Sequence, residues 1–173
     1  TNGTCLTAVE IGKDYFVADC MHETMKRTNL HRLKKSDFVN LEKSITLSTP
    51  LGGHLVTGDV DCEGKITNIR QDGIAKIYTI ELPKYYMKYV VEKGRVTLDG
   101  ASLTVMELGD SSLGVSLIPH SQEMIILGKK KVGDYINIET DLIGKYVEKL
   151  LSFPKQEEKK SKLSLDFLAE NGF

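Results

Sequence analysis

One stretch of this chain occurs twice at a single spacing. Asn2-Gly3-Thr4-Cys5-Leu6-Thr7 returns 97 residues later as Asp99-Gly100-Ala101-Ser102-Leu103-Thr104, without a gap. The same spacing pairs Glu10 with Glu107, Leu30 with Leu127, Asp37 with Asp134, Asn40 with Asn137 and Glu42 with Glu139. A period near a hundred residues is too long for a solenoid unit and fits a small domain made twice. Two similar halves, related by pseudo-symmetry, are expected.

The second copy can be followed backwards from Asp99 to about Gly52, whereas the first has only Thr1 ahead of Asn2. The first domain is therefore expected to enter in its middle, without its opening strands. The start reads as processed, trimmed or incompletely recorded.

Length and charge narrow the function classes. At 173 residues there is room for two small domains with their own cores, and a net charge of −1 offers no broad field for nucleic acid. No apolar run reaches the length of a membrane span. The three cysteines, Cys5, Cys20 and Cys62, form neither a CxxC pair nor an even set, so reduced thiols in an intracellular compartment are expected. A cytoplasmic location is the simplest reading, with a plastid or other organelle left open by the incomplete start. No Cys/His cluster has zinc-ligand spacing, and neither GxGxxG nor a phosphate loop is present, so neither metal nor nucleotide cofactor is expected.

Short β-branched and apolar runs predict strands over Cys5–Ile11, Tyr15–Cys20, Val39–Leu47, Val96–Leu98, Leu103–Leu108, Leu113–Ile118 and Tyr135–Glu139. Asn2-Gly3 and Asp99-Gly100 are hairpin signals, because both dipeptides supply the positive φ of a type I′ turn. The expected class is all-β: two tandem, similar, six-stranded antiparallel barrels, the first incomplete. Lys84–Glu92, following Pro83 and ending before Gly94, predicts a short helix over a barrel end. Phe153–Ser161 reads as a charged linker, and Leu163, Leu165, Phe167 and Leu168 ahead of Asn171-Gly172 as a C-terminal helix that buries its apolar side chains at a subunit interface. The chain divides into 1–52, 53–150 and 151–173.

Three groups of residues carry potential chemistry. Cys5 and Ser102 hold equivalent places after the two turns, a thiol and a hydroxyl derived from one ancestral site, although a small residue opening a strand is often only core. Asp99, three residues before Ser102, either accepts the serine hydroxyl or closes an Asx turn. At the junction, Gly52-Gly53-His54 and Gly58-Asp59-Val60-Asp61 combine close-approach glycines with groups suited to proton transfer, with His54 more commonly a satisfied structural histidine. Finally, Met21-His22-Glu23-Thr24 and Ile118-Pro119-His120-Ser121 end predicted strands 97 apart, with amides and hydroxyls suited to a polyhydroxylated heterocycle. Lys34-Lys35 and Lys129-Lys130-Lys131 read as solvated faces.

These residues resemble those of the α-type riboflavin synthase family. NGTCLT, MHETMKRTNL and VNLE in the first half, GGHLVTG at the junction, and EKGRVTLDGASLTV, LIPHS, GKKKVGDYINIE and DLIGKYVEKLL in the second carry the likeness over nearly the whole chain. The resemblance implies dismutation of two molecules of 6,7-dimethyl-8-ribityllumazine, giving riboflavin and 5-amino-6-ribitylamino-pyrimidinedione, without cofactor or metal. It also implies a homotrimer in which barrel one of one subunit faces barrel two of a neighbour.

Carried over by position, Ser102, Asp99, Cys5 and Asp59 are the implied catalytic set. Lys93, Ala101, Leu103, Thr104 and Ser116, Leu117, Ile118, Pro119, His120 and Ser121 would line one pocket. Leu6, Thr7, Asp19, Cys20, Met21, His22, Glu23 and Thr24 would line the other with Cys5, and Gly58, Asp59 and Val60 would meet substrate at the junction. One departure stands out: the family usually has His where this chain has Asp59, and an ionised carboxylate accepts hydrogen bonds without donating them. A non-catalytic lumazine or flavin binder of the same fold is the alternative reading.

Overall fold

The computed structural model describes residues 1–153 and 165–172. Six strands close into an antiparallel barrel in the order β3-β4-β7-β6-β5-β8: β3 (Cys62–Asp72), β4 (Ala75–Glu81), β5 (Arg95–Leu98), β6 (Ala101–Leu108), β7 (Ser112–Leu117) and β8 (Tyr135–Thr140). Closure follows because β8 pairs with both β3 and β5, leaving no free edge among the six strands. Their inward side chains, among them Ile66, Ile80, Val96, Leu98, Val115 and Ile138, form one buried cluster. Burying such aliphatic side chains stabilises by roughly 1.5–3 kcal/mol each.

Asp99 (φ 47°) and Gly100 (φ 87°) make the tight turn from β5 to β6, with Leu98 opposite Ala101. Asn2 (φ 47°) and Gly3 (φ 73°) repeat it, as the dipeptide chemistry requires. The repeat holds in the helices too. α1 (His22–Arg27) and α2 (Pro119–Met124) are 97 apart, as are the 3-10 turns Asn29–Arg32 and Ile126–Lys129.

The first half departs from a closed barrel. It holds one two-stranded sheet, β1 (Ala8–Ile11) paired with β2 (Phe16–Ala18), so strand structure starts later than the expected Cys5. Val39–Leu47, read as a strand, is irregular. Its counterpart β8 is held by β3 and β5, whereas no strand among the described residues pairs with 39–47. Without a partner ladder, a β-branched run gains nothing from extended pairing. The same lack leaves Ile11 78% and Phe16 42% exposed, whereas Leu113, the counterpart of Phe16, is 1% exposed inside the barrel.

Two strands went unread in the sequence, β3 and β4, which flank the Gly73-Ile74 turn. The helix expected over Lys84–Glu92 is a 3-10 segment over Lys84–Tyr89. The ten-residue α3 (Leu142–Leu151) follows the barrel, capped by Asp141, whose Oδ1 accepts the Ile143 amide at 2.9 Å. A short helix α4 spans Leu165–Glu170. From residue 154 the expected linker, and Leu163 with it, lies outside the described residues.

Candidate active site

The two halves meet through a cross-bonded polar core. Asn40 donates from Nδ2 to the Asp99 carbonyl (2.8 Å), and Asn137 donates from Nδ2 to the Asn2 carbonyl (2.9 Å). The Asn40 amide donates to Asn2 Oδ1 (2.8 Å), as the Asn137 amide does to Asp99 Oδ1 (2.9 Å). The Asn29 amide meets Asn137 Oδ1 at 2.6 Å, and the Ile126 amide meets Asn40 Oδ1 at 2.9 Å. Each of these three bonds has its copy in the other half, so a pseudo-twofold axis relates the two repeats in space.

That core claims Asp99. Its side chain is fully buried, and Oδ1 accepts from Asn29 Nδ2 (2.7 Å) as well as from the Asn137 amide. Oδ2 has no aligned hydrogen bond and faces the Lys130 ammonium at 3.2 Å. Burial, the largest influence, raises the Asp99 carboxyl above its ordinary pKa, against the pull of Lys130. Asp99 therefore accepts nothing from Ser102. Lys130, read as part of a solvated run, is its partly buried counter-ion.

Ser102 is served by a different residue. His54 Nδ1 lies 2.8 Å from Ser102 Oγ, and His54 Nε2 lies 3.3 Å from Thr97 Oγ1. Thr97 and Ser102 face each other across β5 and β6, so one imidazole spans both hydroxyls. Gly53 allows this approach, since a Cβ there would stand 2.4 Å from Ser102 Oγ. Burial lowers the His54 pKa below its ordinary 6.5. The neutral ring is thus the form held beside the serine near neutral pH, and it can take a proton from it.

Cys5 occupies the equivalent place in the first half and is exposed. Its amide donates to the Gly58 carbonyl at 3.0 Å. Gly58 (φ 84°) is the residue that fits, because a Cβ would lie 2.8 Å from Cys5 Cβ. Asp59 next to it is exposed and has no side-chain partner among the described residues. Val60 is half-buried. The second junction carboxylate, Asp61, is structural, accepting from Thr140 and from Lys145 Nζ at 2.7 Å.

The remaining expected residues divide by place. Met21 and Ile118 precede α1 and α2, so MHET and IPHS are helix starts at strand ends. His22, Glu23, Pro119 and His120 are exposed there, with Thr24 and Ser121 half-buried and Glu23 paired to Arg27. Asp19, Thr7, Thr104 and Ser116 are exposed; Leu6, Cys20, Ala101 and Leu103 are half-buried; Leu117 belongs to the core. Lys93 (φ 63°) is exposed, with its amide bonded to the Val105 carbonyl.

Sequence reasoning missed Thr97 and Glu139 as members of this region. Glu139 appeared only as a repeat partner, yet it is 3% exposed, with both oxygens on the junction. Among the described residues no cluster of His, Cys, Asp and Glu is arranged to hold a metal, and no helix is long and apolar enough to cross a membrane.

Comparison with known proteins agrees with this architecture. The family model for the lumazine binding domain matches residues 1–44 and 57–141. Riboflavin synthase of Actinobacillus pleuropneumoniae is 44% identical over 172 residues, 99% of this chain and 80% of that protein. The Bacillus subtilis (strain 168) riboflavin synthase is 38% identical over 172 residues, 99% of this chain and 80% of its own length. In fold, the chain is similar to LumP complexed with riboflavin (TM-score 0.73, 24% identity, 80% of this chain and 75% of that one). It is likewise similar to LumP complexed with 6,7-dimethyl-8-(1'-D-ribityl) lumazine (TM-score 0.71, 23% identity, 80% and 74%). With its duplicated, cross-bonded halves and its matches over nearly its full length, the chain belongs to the riboflavin synthase family of lumazine-binding-domain proteins.

Proposed function

We propose that this chain is a riboflavin synthase, a transferase that moves a four-carbon unit between two molecules of 6,7-dimethyl-8-ribityllumazine. The products, riboflavin and 5-amino-6-ribitylamino-pyrimidinedione, together contain every atom of the two substrates, so no co-reactant is required. The observation that carries this reading is the 38–44% identity to riboflavin synthases over 99% of the chain. The duplication gives it a physical rationale. Two like half-sites present two identical substrates to each other, which supplies the proximity that a reaction between two bound molecules needs.

In this reading 1–52 and 53–150 are the two lumazine-binding halves. Ser102 assists addition at one lumazine while neutral His54 takes up its proton. The hydroxyls of Thr104, Ser116 and Ser121 and the polar strand ends hold the second pocket. Cys5, Thr7 and the 19–24 stretch hold the first, with Asp59 at the junction between them. Assembly as a homotrimer is supported by the apolar stripe of α3, where Ile143, Tyr146 and Leu150 are exposed. The helix α4 would add to that interface.

The test is to incubate the purified protein with 6,7-dimethyl-8-ribityllumazine and follow riboflavin by absorbance, beside Ser102→Ala and Asp59→His. Riboflavin formation, slowed by the alanine, is expected. Tight lumazine binding with no product from any of the three would replace the enzyme with a lumazine-binding protein.

A further inference from the structure

The junction segment 53–58 is laid over a polar row that crosses three strands. Thr97 on β5 faces Ser102 on β6 and Glu139 on β8. Directly opposed residues in an antiparallel ladder project to the same face, so these three side chains stand side by side, while Val96 and Leu98 turn inward. Ser102 and Thr97 engage His54 at one end of the segment. Glu139 engages the other end: Oε1 accepts the Thr57 amide (2.7 Å) and hydroxyl (2.9 Å), and Oε2 accepts the Gly58 amide (3.0 Å). Gly58 in turn accepts the Cys5 amide.

We infer that Glu139 is a positioning residue for the Cys5 half-site, acting through Gly58. The segment is a strap with one end on the Ser102 position and the other on the Cys5 position, the two places the repeat makes equivalent. A carboxylate suits this task because both oxygens accept, and three donors can converge on it. The strap has one anchor of this kind. Glu42, the repeat counterpart of Glu139, is exposed and accepts no hydrogen bond among the described residues. The placement of Cys5 and of Asp59 against barrel two thus rests on one carboxylate from β8, about eighty residues downstream of the strap.

The consequence for function rests on the riboflavin synthase reading, whereas the geometry can be tested without it. Cys5 is the reporter: Cys62 is buried with its thiol pushed up to about 12, so a Cys20→Ser background leaves Cys5 as the thiol to alkylate. Glu139→Gln turns one acceptor into a donor facing amide N–H groups. Thr57→Val removes only the hydroxyl bond and keeps the side-chain shape.

In Glu139→Gln, alkylation of Cys5 by iodoacetamide is expected to accelerate by at least about threefold, with a smaller increase in Thr57→Val. In the same variants kcat for riboflavin formation should fall more than KM changes, because the strap sets orientation. Cys5 alkylation unchanged in both variants, with native circular dichroism, would overturn the inference. If Glu139→Gln does not fold, an unchanged rate in Thr57→Val overturns it alone. Absence of riboflavin from the parent protein would sink the enzyme reading and leave the alkylation result standing.

Discussion

Gly3 and Gly100 meet backbone to backbone where the two halves join: a Cβ on Gly3 would stand 2.6 Å from the Gly100 nitrogen, and one on Gly100 would stand 2.8 Å from the Gly3 nitrogen. Both residues also hold positive φ. Gly100→Ala therefore meets immovable backbone and a strained dihedral together. We expect it to cost at least about 3 kcal/mol, read as a lower urea midpoint, and Gly3→Ala to match it.

The buried pair Asp99–Lys130 has a neutral counterpart in the first half, Asn2 and Leu33. Lys130→Leu alone leaves a buried carboxylate without its cation and should cost about 3–5 kcal/mol. Asp99→Asn with Lys130→Leu copies the first half and should recover most of that loss, a coupling that a double-mutant cycle measures.

The same pair makes a pH prediction of definite sign. The folded pKa of Asp99 is raised above its ordinary 3.8, so its contribution is full below that value and is lost as pH rises through the folded value. Wild-type stability should carry a decline across that window that the double variant lacks, measured by urea unfolding at a series of pH values.

His54, lowered below 6.5 by burial, stays neutral further into acid than an ordinary histidine. The kcat/KM for riboflavin formation is expected to fall only as pH drops through that lowered value. Ser102→Ala should reduce kcat by about 10²-fold, and His54→Gln should lose the acid limb while reducing the rate. An acid limb that persists in His54→Gln would assign the titration to another group.

On α3, Tyr146 and Leu150 are 62% and 69% exposed in the single chain. For the proposed homotrimer, Tyr146→Glu with Leu150→Glu should shift sedimentation to the monomer and leave the barrel's circular dichroism intact.

Features written in local chemistry were legible in the sequence. Asn2-Gly3 and Asp99-Gly100 announce their turns because few other dipeptides tolerate positive φ twice in succession. The 97-residue register also carried over to helices and 3-10 turns. Features depending on partners were not legible. Val39–Leu47 has strand composition, but extended structure needs a neighbouring ladder, which the local run does not reveal. Asp99 sits three residues before Ser102, and that proximity suggested a catalytic pairing. A tight turn sends the two side chains to opposite surroundings, one into the interface between halves and one towards His54. The links from Glu139 to the Thr57 and Gly58 amides span 82 and 81 residues, and no local pattern encodes them.

The reciprocal bonds between Asn40 and Asp99 and between Asn137 and Asn2 have the form of an isologous contact, in which the same patch of each partner receives what it gives. Such a surface is self-complementary. A single half carrying Asn at the turn and Asn at the place shared by Asn40 and Asn137 presents both the donor and the acceptor of this contact. The joined chain therefore has, inside one molecule, a contact of the same form as a twofold dimer interface. The junction between the halves makes one the Cys5 side and the other the Ser102 side, so the two can differ.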